Sequence, residues 1–210
     1  MQTGGIVLCG GRSSRMGRPK AWLPFGGELL LPRIVRILHE EVEPIVVVAA
    51  PDQDVPPLPT EIEIVRDEVE GRGPLQGLAA GLAALHGQVD AVYLSSCDVP
   101  FLKPVFVRRI VEFLGAPTDG LSPRSKIAVP KVGDFYHPLA AAYHIDILPE
   151  VRSLLAADRL RPTFLFDAVP TRIIKADELA DIDPAFDSLR NLNSPEEYAA
   201  ALRDLASQFE

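Results

Sequence analysis

The segment from Leu8 to Lys20, LCGGRSSRMGRPK, combines adjacent glycines with a cluster of basic residues. The glycines are Gly10 and Gly11, and the basic residues are Arg12, Arg15, Arg18 and Lys20. Glycines let a backbone approach a ligand closely and turn its N–H groups toward an anion, while the side chains add positive charge. The segment therefore predicts a loop that binds the phosphates of a nucleoside triphosphate.

The surroundings of this loop sharpen that prediction. The chain carries a net charge of −8, so a local cluster of cations is unusual, although a surface turn with solvated arginines would have the same composition. Gly17 is followed by Arg18-Pro19-Lys20, which is not a Walker A ending, and no G-x-G-x-x-G occurs here. ATPase chemistry and hydride transfer are therefore disfavoured.

Asp98 ends the apolar run DAVYLSSCD, which predicts a buried strand from 90 to 98. A carboxylate at the carboxyl end of such a strand emerges at the catalytic edge of an open α/β sheet. There it could supply the hard oxygen that a phosphate-bound Mg²⁺ requires. Asp98 is equally a suitable residue for a turn or a helix N-cap, and its position alone leaves both interpretations open.

Asp67 is a second candidate ligand. Its carboxylate could accept hydrogen bonds from the N1–H and N2 amine of guanine or from a ribose hydroxyl. The acidic segment RDEVEGR around it is also typical of a solvated turn.

Nucleotidyl transfer places charge on the α-phosphoryl oxygens and on the departing pyrophosphate. Fixed cations such as Arg15 and Lys20 lower that barrier without a covalent nucleophile. No Ser-His-Asp or Cys-His pattern is needed, and the four histidines show no metal-ligand spacing. The histidines are His39, His86, His137 and His144.

The pattern L-x-G-G-x-S-S-R-M-G-x-P-K resembles the signature loop of the molybdenum cofactor nucleotidyltransferases, which have the glycosyltransferase-A-like nucleotidyltransferase fold. Four further motifs match across nearly the whole chain. They are G-P-L-x-G from Gly73, C-D-V-P from Cys97, H-P-L-A from His137 and N-L-N-S-P-E-E from Asn191.

The resemblance implies a set of site residues. The nucleotide-binding residues would be Leu8, Cys9, Gly10, Gly11, Lys20, Asp67, Gly73 and Asp98. Asp98 would also hold Mg²⁺, and Arg15, Lys20 and Asp98 would be catalytic. The molybdopterin substrate would meet His137, Asn191 and Asn193, although asparagines just before a capped helix also suit turn and capping geometry.

Two features of the resemblance point to different bases. The LCGG start and the NLNSPEE segment are similar to the guanylyltransferase branch, which transfers GMP from GTP to molybdenum-bearing molybdopterin. Pro19 before Lys20 is the form common in the cytidylyltransferases, which use CTP. Another small-molecule nucleotidyltransferase, or a nucleotide-binding sensor that lost catalysis, would share the loop. A sensor would be expected to lack loop cations or the metal-binding carboxylate, whereas Lys20 and Asp98 are both present. The implied protein partners are a molybdenum-insertion protein and acceptor molybdoenzymes or their chaperones.

These residues need an α/β scaffold, and the chain has the pattern of one. Short Val- and Ile-rich runs alternate with helical patterns, which predicts a three-layer α/β/α sandwich around a mostly parallel, Rossmann-like sheet. Predicted strands are 5–9, 45–50, 61–66, 90–98, 127–132, 136–143 and 170–175; predicted helices are 30–40, 75–86, 104–114 and 146–157. A last helix begins at Ser194 with a capping box to Glu197.

At 210 residues we expect a single domain, with nucleotide binding in about 1–100 and molybdopterin binding in about 101–210. The acidic balance disfavours a nucleic-acid partner. The N-terminus lacks a secretory signal, and no apolar stretch is long enough for a membrane span. Together with two unpatterned cysteines, Cys9 and Cys97, this favours a reduced, cytoplasmic protein with no membrane contact.

Overall fold

The computed structural model describes residues 1–10, 18–67, 69, 71–116 and 124–207. The strands found in these residues are β1 (Thr3–Leu8), β2 (Pro24–Phe25), β3 (Glu28–Leu29), β4 (Ile45–Ala49), β5 (Glu63–Arg66), β6 (Ala91–Ser96), β7 (Ile127–Val132), β8 (Phe135–Tyr136), β9 (Ala141–His144) and β10 (Thr171–Lys175). The α-helices are α1 (Leu30–His39), α2 (Pro74–Leu85), α3 (Pro104–Gly115), α4 (Leu148–Ala156), α5 (Phe164–Ala168) and α6 (Pro195–Ser207).

The main sheet has the order β10-β7-β9-β6-β1-β4-β5, with β8 paired to β7. Strands β6, β1, β4 and β5 run parallel to one another, whereas β9 runs antiparallel to both β6 and β7. Parallel strands buried on both faces are expected to be continuously apolar, and β1, β4 and β6 are buried almost throughout. The predicted mostly parallel sheet is confirmed.

Alternate residues of each strand point to opposite faces, and each face is covered by its own helices. Val7 and Val47 pack on one face with α1 and α3, while Ile6 and Val46 pack on the other with α2 and α4. The result is the three-layer α/β/α sandwich that the sequence predicts.

Helix α2 approaches β1 closely because two of its residues lack side chains. A Cβ at Gly77 would lie 2.9 Å from Leu8 Cδ2, and one at Gly81 would lie 2.6 Å from Ile6 Cδ1. These glycines let the amino end of α2 lie beside the carboxyl end of β1.

The region from 136 to 143 differs from the prediction of one strand. Instead β8 ends at Tyr136 and β9 begins at Ala141, with a turn closed by a 3.0 Å hydrogen bond from Ala140 N–H to the His137 carbonyl. Pro138 lacks an N–H for strand pairing, which makes a break here favourable. The β2–β3 hairpin and helix α5 were not predicted.

Helix α6 returns the end of the chain to the sheet. It packs with the β2–β3 hairpin in a small apolar cluster that includes Phe25, Leu192 and Ala201. The predicted capping box is confirmed, because Glu197 N–H donates to Ser194 Oγ and Ser194 N–H to Glu197 Oε2, both at 3.2 Å. The residues just before α6 are thereby fixed against the edge of the sheet.

Candidate active site

A cleft of about 1160 Å³ opens at the carboxyl ends of β1, β4 and β6. This is the edge at which open α/β sheets bind their ligands. Residues of several predicted groups line it, namely Leu8, Cys9, Gly10, Lys20, Asp67, Gly73, Asp98, Asn191 and Asn193. Gly11 and Arg15 lie outside the described residues, so their predicted roles stay predictions.

Asp98 follows β6 and lies at the floor of the cleft, only 8% exposed. Its Oδ2 accepts a hydrogen bond from Lys20 Nζ at 2.6 Å. Its Oδ1 accepts bonds from Ser96 Oγ at 2.6 Å and Asn191 Nδ2 at 3.0 Å. A buried carboxylate needs such partners, and these three donors hold this one in a single orientation.

Lys20 lies in a short 3₁₀ helix, Lys20–Trp22, and is about one-fifth exposed. Its ammonium group contacts Asp98 Oδ2 and also donates to Asn193 Oδ1 at 2.9 Å. Both contacts are charge-assisted and point the amine into the cleft. Lys20 can therefore reach an anion bound there.

The asparagines contact candidate catalytic groups directly, which sequence reasoning did not foresee. Asn191 bonds to Asp98 and Asn193 bonds to Lys20, while the N–H of Leu192 between them donates to the Asp98 carbonyl at 2.9 Å. The spacing N-x-N could have suggested this, because alternate residues of an extended segment point the same way. Molybdopterin contact by these amides remains a prediction.

The opposite side of the cleft is built from the turns after β4 and β5. Asp67 N–H donates to the Ala49 carbonyl at 2.9 Å, and Asp67 Oδ1 accepts the N–H of Val69 at 3.1 Å. The Asp67 carboxylate thus stabilises its own turn and also borders the cleft. Both interpretations of Asp67 from the sequence remain compatible with this geometry.

Gln53 is a cleft residue that the sequence analysis missed. Its Nε2 donates to the Cys9 carbonyl at 2.9 Å, and its Oε1 accepts the Ala50 N–H at 3.2 Å. It thereby joins the start of the glycine-rich loop to the turn after β4. Gln53 lies in the proline-rich stretch PDQDVPPLP, whose composition indicates a loop but does not identify this glutamine as a site residue.

Gly73 precedes α2 with a φ of +73°, a backbone conformation that glycine adopts without strain. Pro74 then occupies the first turn, where its missing N–H costs nothing. The positive end of the helix dipole therefore lies at the cleft, where it favours an anion.

Two thiols lie beneath the cleft. The adjacent Cys97 thiol lowers the pKa of Cys9, although burial opposes this. The adjacent Cys9 thiol and burial raise the pKa of Cys97 well above its usual value. Both cysteines are free in the structure.

His137 occupies a different position from the other candidates. It is half-buried in the turn between β8 and β9, and burial lowers its pKa. In the part of the chain that the structure describes, the cleft lining includes Leu139 of the same turn but not His137. Its predicted contact with molybdopterin remains untested by this geometry.

The residues described by the structure contain no group of three or more His, Cys, Asp or Glu side chains that could hold a metal ion. Mg²⁺, however, is commonly bound by one or two carboxylates together with substrate phosphates. Asp98 fits that mode, because its carboxylate faces the cleft and its Oδ2 already attracts a cation, Lys20.

Comparison with known proteins identifies the family of the chain. Residues 5–169 match the family described as the MobA-like NTP transferase domain. The chain belongs to this family. A protein named "Probable molybdenum cofactor guanylyltransferase" from Mycobacterium bovis (strain BCG / Pasteur 1173P2) is 36% identical over 177 residues, covering 82% of this chain and 84% of the relative.

Solved structures show the same fold at low sequence identity. Molybdopterin-guanine dinucleotide biosynthesis protein A from Archaeoglobus fulgidus matches with a TM-score of 0.74 and 20% identity, over 99% of this chain and all (100%) of that protein. 2-C-methyl-D-erythritol 4-phosphate cytidylyltransferase from Thermus thermophilus matches with a TM-score of 0.68 and 17% identity, over 98% of this chain and 100% of that protein. This MobA-like protein therefore shares its fold with nucleotidyltransferases. In its described residues, no helix has the length and apolar character needed to cross a membrane.

Proposed function

We propose that the protein is a Mg²⁺-dependent molybdenum cofactor guanylyltransferase. In the reaction, a phosphate oxygen of molybdopterin attacks the α-phosphorus of GTP, the bond from that phosphorus to the bridging oxygen breaks, and pyrophosphate leaves. The observation that carries the proposal is the single cleft that brings Gly10, Lys20, Asp67 and Asp98 together at the edge of the sheet. The curated relative that is 36% identical and named for this activity supports the choice of substrate.

The nucleotide would lie between the turns after β1 and β4 and the amino end of α2. Gly10 exposes backbone there, and Gln53 holds the neighbouring Cys9 carbonyl in place. Asp67 borders this side and offers the acceptor that guanine or ribose requires. The base and sugar therefore belong on the β4–β5 side and the phosphates on the Lys20 side.

Lys20 and Asp98 would stabilise the negative charge of the phosphates during the reaction. When phosphates enter, the Lys20 amine can leave Asp98 Oδ2 and donate to phosphoryl oxygens, which stabilises the negative charge that develops there. Asp98 Oδ2 would then be free to hold Mg²⁺, which supplies positive charge to the phosphates when bound. Ser96 and Asn191 would keep the carboxylate oriented through Oδ1.

The acceptor would approach from the C-terminal half of the chain. Leu139, Asn191 and Asn193 come from that half and line the cleft beside Asp98. We therefore propose that about 1–100 binds the nucleotide, that about 101–210 binds molybdopterin, and that both belong to one domain. The implied insertion protein and acceptor molybdoenzymes would deliver the substrate and receive the product.

Incubation with GTP, Mg²⁺ and molybdenum-bearing molybdopterin tests the reaction, with the dinucleotide followed by mass spectrometry and pyrophosphate by a coupled assay. Both products are expected in equal amounts. Absence of both with every nucleotide would overturn the proposal.

Calorimetric titration with GTP and with CTP tests the base. Tighter binding of GTP is expected, and tighter binding of CTP would favour the cytidylyltransferase that Pro19 suggests. Both titrations should be made with Mg²⁺ present, because the metal and the phosphates are expected to bind together.

A further inference from the structure

Cys9 and Cys97 extend two neighbouring parallel strands by one residue each. β1 and β6 pair in register up to Leu8 and Ser96, and the N–H of Cys97 then donates to the Leu8 carbonyl at 3.1 Å. The two cysteines are therefore opposite each other. Register partners in parallel strands point to the same face, and both cysteines belong to the same apolar cluster as Val7.

The separation of such partners suits a covalent link. Neighbouring strands lie about 4.7–4.9 Å apart, and disulfides join residues whose Cα atoms are about 4.4–6.8 Å apart. The two thiols adjoin, because each shifts the pKa of the other. Their sulfurs can therefore be joined without moving either strand to a new register.

The pair is buried but can be reached by small molecules. Cys9 is 6% exposed and Cys97 is 5% exposed, and both line the cleft. A hydroperoxide is small enough to enter the space proposed for the nucleotide. A bound nucleotide would cover the same path.

We propose that Cys9 and Cys97 form a reversible disulfide when the protein meets hydrogen peroxide. The sulfur of one thiol attacks a peroxide oxygen, the O–O bond breaks, and a sulfenic acid and one water form. The sulfur of the other thiol attacks the sulfenic sulfur, the S–S bond forms, and a second water leaves. Two electrons pass from the sulfurs to the peroxide, and a dithiol reductant reverses the change.

The disulfide alters the cleft because both cysteines adjoin its functional groups. Cys9 precedes Gly10, and its carbonyl and sulfur both accept hydrogen bonds from Gln53 Nε2, at 2.9 and 3.2 Å. Cys97 directly precedes Asp98. An S–S bond of about 2.05 Å fixes the positions of both sulfurs, which disturbs the hydrogen bond from Gln53 Nε2 to Cys9 Sγ. Nucleotide binding should therefore weaken on oxidation, a consequence that rests on the proposed function.

The test exposes the full chain to a few equivalents of hydrogen peroxide under native conditions. The expected product has lost about 2 Da, yields a Cys9–Cys97 linked peptide on digestion, and regains its mass with dithiothreitol. Prior addition of GTP and Mg²⁺ should slow the reaction. Because the chain has only 2 cysteines, the link is unambiguous.

The matched variants Cys9→Ser and Cys97→Ser each keep one thiol and should instead gain about 16 or 32 Da. Calorimetry on the reduced and oxidised wild-type protein should show about tenfold weaker GTP binding after oxidation, restored by reductant. Circular dichroism should be unchanged, which excludes unfolding as the cause.

Three outcomes would overturn all or part of this inference. Mass gains of about 16 or 32 Da, or linked dimers, in the wild-type protein would show that the pair does not close. A mapped disulfide with unchanged GTP affinity would show that the disulfide forms but does not alter nucleotide binding in the cleft. If the reduced protein bound no nucleotide while the disulfide still formed, the proposed function would fail and the thiol pair would stand.

Discussion

Asp98 and Asp183 are two buried carboxylates that each hold a lysine ammonium group 2.6 Å away. Asp98 contacts Lys20 and is 8% exposed at the floor of the cleft, whereas Asp183 contacts Lys103 and is fully buried at 0%. The pairs have the same chemistry and nearly the same geometry. Their remaining partners and their access to solvent are what differ.

The second set of partners distinguishes the two carboxylates. Asp183 accepts the backbone N–H groups of Asp187 at 3.2 Å and Ser188 at 2.8 Å, so it closes a turn that cannot open without breaking the chain's local fold. Asp98 is held by the side chains of Lys20, Ser96 and Asn191, which can exchange partners when a ligand arrives. An ion pair held by side chains at a cleft suits catalysis, and one closed by backbone groups suits stability.

The largest expected effect is that of Asp98→Asn on turnover. Loss of the charge removes the proposed metal ligand, and the rate should fall by roughly 10²–10³-fold. Pyrophosphate release per folded molecule measures the rate. Urea unfolding should show a smaller loss in the free energy of unfolding than Asp183→Asn causes, because Lys20 keeps Asn193 Oδ1 as a partner. A rate near that of the wild type would remove Asp98 from the catalytic site.

Asp183→Asn should show the reverse pattern. Lys103 loses its buried partner, so the free energy of unfolding should fall by about 2–3 kcal/mol, below the range for fully buried pairs because Lys103 is partly exposed. Urea unfolding measures this loss. Turnover per folded molecule should stay within a few fold, and a collapse of turnover without a loss of stability would contradict the comparison.

Lys20→Met should make Mn²⁺, used as a probe for Mg²⁺, bind more tightly to the nucleotide-free protein. In the free protein the Lys20 ammonium occupies Asp98 Oδ2, and its removal should raise Mn²⁺ affinity by about tenfold through lost charge repulsion. Calorimetry measures the affinity.

Lys103→Met is the matched control, and it should leave Mn²⁺ binding unchanged because Asp183 is closed to solvent. Equal affinities in wild type and Lys20→Met would show that Lys20 does not compete with the metal.

The smallest expected effect concerns acid stability. Burial alone would raise the pKa of Asp183, but hydrogen bonds from Lys103 and Ser188 outweigh it and hold the pKa below its usual value. The contribution of Asp183 is therefore full above the unfolded pKa of about 3.9 and is lost as the pH falls through the lower folded-state value. The stability gap between wild type and Asp183→Asn should narrow below about pH 4. A gap that stays constant between pH 7 and pH 3 would argue against this shift.

Much of the scaffold follows from local sequence. The strands β1, β4 and β6 are continuous apolar runs, and the glycine-rich loop and Asp98 follow such runs directly, so their place at one edge of a parallel sheet could be predicted. The start of α6 was also predictable, because Ser194 and Glu197 satisfy each other's backbone within a single turn.

The partners of those residues could not be predicted in the same way. Lys20 and Asn193 are 173 positions apart, and the break at Pro138 depends on how β7, β8 and β9 pair. Gln53 lies in a stretch whose composition indicates only a loop. Long-range contacts arise from the packing of whole elements, which no local pattern encodes.

The sequence alone therefore determined the sheet, the candidate loop and the carboxylate Asp98, because strand periodicity and glycine-rich turns act over a few residues. Only the tertiary structure decided that Lys20, Asn191 and Asn193 surround that carboxylate, and that Cys9 and Cys97 are partners. The tertiary structure also showed that Asp98 borders the cleft whereas Asp183 is covered, since access to a cleft depends on how the rest of the chain packs.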